Sequence, residues 1–202
     1  MKKLLIGFLA LLVLPVVAQA NEDKFKEGVH YEVIAEEGTK RPEVKEFFSF
    51  YCIHCYRFET VAAAMKEAYP QQFEKSHIVS HPTLRLMARG LVAAKLFKKE
   101  APISQAFYER IHDQKKQITT EEDLKAIFHV HGIEADKFEK AMKHPLVEKQ
   151  VNEMEREMLK YDVNATPTFI VNGKYRLLTN GFSDSKDVIS DLVEAAGYLM
   201  EK

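Results

Sequence analysis

The sequence predicts an α/β fold interrupted by a block of helices. Three observations carry that expectation: an apolar strand that runs directly into a Cys-x-x-Cys pair and a helix, a long middle stretch with helical spacing, and a closing hairpin followed by one more helix. Strands and helices at both ends with only helices between them read as one α/β unit holding an insertion.

Each element has its own signal. The chain opens with Lys2 and Lys3, continues through an apolar run from Leu4 to Val17, and shows Ala18, Gln19 and Ala20 before charges begin at Glu22. That is the layout of a cleavable secretory signal, and the run is short of the roughly 20 residues a spanning helix needs. Cleavage after Ala20 would leave 182 of the 202 residues, enough for one large domain with a real core. Losing the two lysines takes the formal charge from −1 to −3, so the basic excess that nucleic-acid binding calls for is missing and no nucleic-acid partner is expected.

From His30 to Ile34 the pattern alternates loosely, and Val44 to Tyr51 is an apolar, aromatic run that reads as a buried strand. Tyr56 to Tyr69 lacks Gly and Pro and stops at Pro70, which predicts a helix starting near Cys52. Phe73 to Ser80 could be a second strand. Helical spacing then marks Ala88 to Lys99, Ile103 to Asp113, Glu121 to His131, Ala135 to Met142 and Leu146 to Tyr161. Thr168 to Val171, the turn pair Asn172-Gly173 and Lys174 to Leu178 make a hairpin, and a last helix capped by Ser183 or Asp184 runs from Lys186 towards Leu199. The organisation expected is a signal over 1–20, the first half of the α/β domain over 21–83, a helical insertion over 84–154 and the second half over 155–202.

The two cysteines are the only ones in the chain, too few for a disulfide-stapled scaffold. Three apart at a helix start, they share one face of its first turn and can bridge. Cys52, at the N-cap, faces the unpaired amides and the positive end of the helix, while Cys55 lies one turn in and more enclosed. Those amides, and His54 between the cysteines, favour a thiolate at Cys52. A stabilised thiolate makes the disulfide easier to reduce and Cys52 a better leaving group, so the oxidised chain becomes a disulfide donor. Two other readings stay open on the residues alone. A passive bridge closing so small a loop would contribute only about 2 kcal/mol. A zinc site would need His77 and His81 beside the pair, but nothing in the spacing ties them to it, and no metal and no cofactor is expected.

Glu46-Phe-Phe-Ser-Phe-Tyr-Cys52-Ile-His-Cys55-Tyr-Arg-Phe-Glu59 resembles the active-site segment of the DsbA family, and Ala165-Thr166-Pro167-Thr-Phe-Ile-Val-Asn-Gly-Lys-Tyr175 resembles that family's cis-proline loop and hairpin. The resemblance covers about residues 21–202 and implies a thioredoxin-like fold with an inserted all-helical domain. It further implies a periplasmic thiol:disulfide oxidoreductase that passes the Cys52–Cys55 disulfide to reduced, unfolded secreted proteins. A DsbB-like, quinone-linked membrane oxidase would recharge it, and the protein would act as a monomer. By the same resemblance Pro167 is the cis-proline lying against the cysteines, Thr166 pairs its backbone with extended substrate, and Glu46 is a buried acid that moves the inner cysteine's proton. On the residues alone, Pro167 reads as an ordinary strand-entry proline and Glu46 as equally able to face solvent, since adjacent Lys45 and Glu46 cannot both face in.

Two departures bear on activity: Ile53 stands where the family usually has proline, and Thr166 where it commonly has valine. They keep a disulfide isomerase or reductase of the same fold in view. A non-catalytic periplasmic binding or chaperone module, with a merely structural bridge, is the third possibility, and thiol reactivity separates it from the other two.

Overall fold

A computed structural model describes residues 24–202. The expected signal segment and residues 21–23 lie outside the described residues. Five strands, β1 (Tyr31–Val33), β2 (Val44–Phe48), β3 (Phe73–His77), β4 (Thr168–Val171) and β5 (Tyr175–Leu177), form one mixed sheet in the order β1-β5-β4-β2-β3. β2 and β3 are parallel, and the other neighbours are antiparallel. The parallel pair needs a crossover, which α1 (Ile53–Arg57) and α2 (Glu59–Ala68) supply.

Between β3 and β4 the chain makes α3 (Pro82–Leu96), α4 (Glu100–Tyr108), α5 (Glu121–Val130), α6 (Ala135–Met142) and α7 (Pro145–Lys160); after β5 comes α8 (Val188–Glu201). α4 runs on into a π-helical turn at Glu109–Asp113, closed by the Gln114 N–H on the Glu109 carbonyl at 2.9 Å.

Local chemistry explains the ends that differ from expectation. The helix expected over 56–69 is broken at Phe58, whose N–H is shared between the carbonyls of His54 and Cys55. α3 starts at Pro82, before Ala88, because His81 caps it: its Nδ1 accepts the Thr83 N–H at 3.2 Å, and Pro82 fills a first-turn position that needs no donor. His144 and Pro145 open α7 in the same way. The last helix is capped by Asp187, not Ser183 or Asp184, because Ser183 ends a 3₁₀ turn over Thr179–Phe182. Asn172 and Gly173 both have positive φ, 52° and 61°, giving the hairpin turn that suits the twist of its strands. A side chain at Gly173 would also strike the Tyr161 hydroxyl at 2.8 Å.

Every residue of β2 is buried, since helices cover both faces of the sheet. On one face Val44, Met65, Phe169 and Leu192 pack with α2 and α8. On the other, Phe47 and Ile170 meet Met158 and Tyr161. A third cluster fills the helical block around Leu91, Phe107 and Phe128 and reaches Phe50 and Cys55, so the inner cysteine belongs to the helical core. Each such Phe contributes roughly 1.5–3 kcal/mol by leaving water.

Candidate active site

β2 ends at Phe48, and a tight turn delivers the chain to Cys52: the Cys52 N–H reaches the Ser49 carbonyl at 3.0 Å, and the Ser49 hydroxyl accepts the Tyr51 N–H at 3.1 Å. Cys52 is the N-cap of α1, and its Sγ accepts the Cys55 N–H at 3.3 Å. Both cysteines are free thiols; Cys52 is partly exposed and Cys55 fully buried. Burial pushes the Cys55 thiol well above the ordinary thiol range. The pair is therefore asymmetric in access as well as in position.

The Thr166–Pro167 bond is cis, immediately before β4. Across 114 positions of sequence, the Cys52 thiol donates to the Thr166 carbonyl at 3.3 Å. Cys52, Cys55, Thr166 and Pro167 thus converge. His54 does not join them: it is exposed, and among the described residues no hydrogen bond links it to either sulfur.

Glu46 is fully buried and its neighbour Lys45 nearly so, which corrects the expectation that only one could face in. That expectation holds for a sheet with one wet face; here both faces are covered, so adjacent residues enter opposite interiors. Lys45 is hydrogen-bonded to Glu157 of α7 and lies 3.6 Å from Glu74. Glu46 has the Lys75 ammonium 3.5 Å away, but among the described residues neither carboxylate oxygen meets a donor in hydrogen-bonding geometry, and Lys75 is hydrogen-bonded to Glu59. Burial pushes the Glu46 carboxyl up to about 7, against the opposing pull of Lys75. A cleft of about 830 Å³ lined by Phe48, Phe50, Glu59 and Lys75 opens beside this cluster.

The histidines offered as zinc ligands are used otherwise. Both ring nitrogens of buried His77 are taken, Nδ1 by the Ile78 carbonyl at 2.7 Å and Nε2 by the Phe50 N–H at 3.1 Å. No cluster able to hold a metal occurs among the described residues.

Three comparisons place this geometry. A family model described as "DSBA-like thioredoxin domain" matches residues 64–193, starting after the cysteines and including the cis-proline loop. A thiol:disulfide interchange protein DsbA of Haemophilus influenzae is 31% identical, with 88% of each chain covered.

The chain belongs to the DsbA family.

A DsbA of Escherichia coli is 27% identical over the whole of both chains. The crystal structure of a DsbA disulfide interchange protein from Klebsiella pneumoniae superposes with a TM-score of 0.81 at 23% identity, covering 88% of this chain and 98% of that one, which shows the shared fold. As a DsbA-family member the chain has a thioredoxin-like fold with inserted helices, and it is a thiol:disulfide oxidoreductase.

Proposed function

We propose that the oxidised chain donates a Cys52–Cys55 disulfide to reduced, unfolded proteins exported to the periplasm. The observation that carries this reading is the asymmetry of the pair: Cys52 Sγ is reachable and lies against the loop of Thr166 and Pro167, whereas Cys55 is sealed in the helical core.

A substrate thiolate attacks Cys52 Sγ, breaking the S–S bond and forming a mixed disulfide, and Cys55 leaves as a thiolate. Burial disfavours that charge, so a proton must arrive with it. Glu46, poised near 7 and still partly protonated there, is the buried acid that supplies it. A second substrate thiolate then attacks the substrate sulfur, forming the substrate disulfide and releasing Cys52. Two electrons have passed from substrate to the pair. The Thr166 backbone pairs with extended substrate as an added strand, and a DsbB-like, quinone-linked membrane oxidase removes the two electrons again. The protein acts as a monomer.

The test is oxidation of a reduced, unfolded substrate by stoichiometric oxidised protein. Wild type forms substrate disulfides, Cys52→Ser forms none, and Cys55→Ser, loaded through Cys52 as a mixed disulfide with a substrate that carries a single thiol, retains it because no second thiol is there to release it. Undiminished oxidation by the Cys52→Ser chain overturns the reading. A strongly reducing couple, measured against glutathione, would assign the isomerase or reductase role that Ile53 and Thr166 keep in view.

A further inference from the structure

The helical block grips both sides of the cysteine pair. Tyr51, just before Cys52, donates its hydroxyl to the Ile118 carbonyl at 2.7 Å and accepts the Ile118 N–H at 3.1 Å. Tyr56, just after Cys55, donates to Asp113 Oδ2 at 3.0 Å. The third contact is on the turn itself: His112 Nε2 lies 2.8 Å from the Phe50 carbonyl. A carbonyl only accepts, so Nε2 carries the proton. The other end of the Phe50 residue donates its N–H to His77, whose Nδ1 must carry the proton because it too faces a carbonyl. One backbone residue is thus held by two imidazoles, one from the sheet and one from the helices.

The π-helical turn makes the second grip possible. An extra residue in the turn shifts the side chains that follow relative to those of α4, and π turns recur where a side chain must be re-aimed for function. Here the turn presents buried His112 to Phe50 and lays its ring on Tyr56 at 5.5 Å and 21°. Phe50 and Tyr51 are the central residues of the Ser49–Cys52 turn, so whatever holds the Phe50 carbonyl holds the place of Cys52 Sγ relative to the Cys55 N–H and the Thr166 carbonyl.

We propose that His112 is a positioning residue for the dithiol, acting through the Phe50 carbonyl. It rests on the reading of Cys52 and Cys55 as the redox pair. Its direction follows from what else holds the two forms. In the disulfide form the S–S bond itself fixes Cys52 against Cys55. In the dithiol form the turn relies on non-covalent anchors, so removing one destabilises the dithiol more and shifts the equilibrium towards the disulfide.

The experiment measures the equilibrium constant with glutathione for wild type, His112→Gln and His112→Leu, alongside thermal unfolding of both redox forms of each. His112→Leu should shift the constant about tenfold towards the disulfide, equivalent to about 30 mV, and lower the unfolding temperature of the reduced form more than that of the oxidised form. His112→Gln, which keeps an N–H donor, should recover most of the shift. Equal loss of stability in both forms with an unchanged constant would mean the residue is only structural and overturns the proposal. If the Leu variant does not fold, His112→Asn decides by the same cycle, since its shorter amide is polar but falls short of Phe50. Failure of the underlying redox reading is distinct: wild type itself would then show no defined equilibrium with glutathione.

Discussion

Lys45 and Glu46 are neighbours on β2, buried in opposite faces of one sheet, and their charges fare differently. Burial opposes the Lys45 ammonium, but its hydrogen bond to Glu157 and the attraction of Glu157, Glu74 and Glu43 together outweigh that, and its pKa ends above the ordinary lysine value. Burial opposes the Glu46 carboxylate too, and here the pull of Lys75 at 3.5 Å does not offset it, so the carboxyl is driven up to about 7. A buried charge with a committed hydrogen-bond partner is a fixed structural element. One whose burial exceeds the pull of its partner can take up and give back a proton near neutral pH.

The largest expected effect tests the Glu46 side. A carboxyl with folded pKa near 7 and unfolded value near 4.5 keeps its proton in the folded chain after the unfolded chain has lost its own. Its contribution is therefore intact below about pH 4.5 and is lost as pH rises to about 7, by up to about 3 kcal/mol. Glu46→Gln removes that loss, so its stability relative to wild type should grow by about that amount between pH 4 and pH 8 in urea denaturation. An advantage that does not change with pH breaks the comparison. His77 supplies the opposite limb: burial lowers its imidazole to about 4, so stability is lost as pH falls from about 6.5 to 4. The two limbs overlap in wild type, and Glu46→Gln should expose the His77 limb as stability that rises with pH through that window.

Next comes the Lys45 side. Glu157→Ala leaves a mostly buried ammonium with only Glu74 at 3.6 Å. The expected cost is about 2 kcal/mol near neutral pH, reduced from the fully buried case because Glu157 is itself about a third exposed. A loss under a few tenths would show that Glu74 or solvent replaces Glu157. Smallest is Tyr108→Phe on the Glu46 side. Among the described residues the buried Tyr108 hydroxyl has no hydrogen-bond partner, so its removal should be neutral or stabilising by up to about 1 kcal/mol. A clear destabilisation in the same assay would reveal a bridging water there.

Local chemistry was readable in the sequence, and tertiary coincidence was not. The hairpin at Asn172-Gly173 is dictated by two residues that tolerate positive φ, and the cysteine pair sits where its strand ends. The starts of α3 and α7 carry a signal of their own, a proline at the first helical position after a side chain able to cap. Ser183 and Asp184 looked like caps because a 3₁₀ turn uses the same residue types. The joint burial of Lys45 and Glu46 depends on α7 and α2 covering both faces, and no local pattern encodes that. The roles of His77 and His112 at Phe50 likewise depend on elements 27 and 62 positions away.

The tyrosines beside the cysteines have an optical consequence. The chain contains no tryptophan, so its near-ultraviolet emission comes from eight tyrosines. Two of them adjoin the sulfurs, each with its phenol tethered to the helical block. A disulfide quenches phenol fluorescence at short range, so opening and closing the bond should brighten and dim this light. The redox cycle can then be followed in unlabelled protein, with Tyr51→Phe and Tyr56→Phe dividing the signal between its two sources.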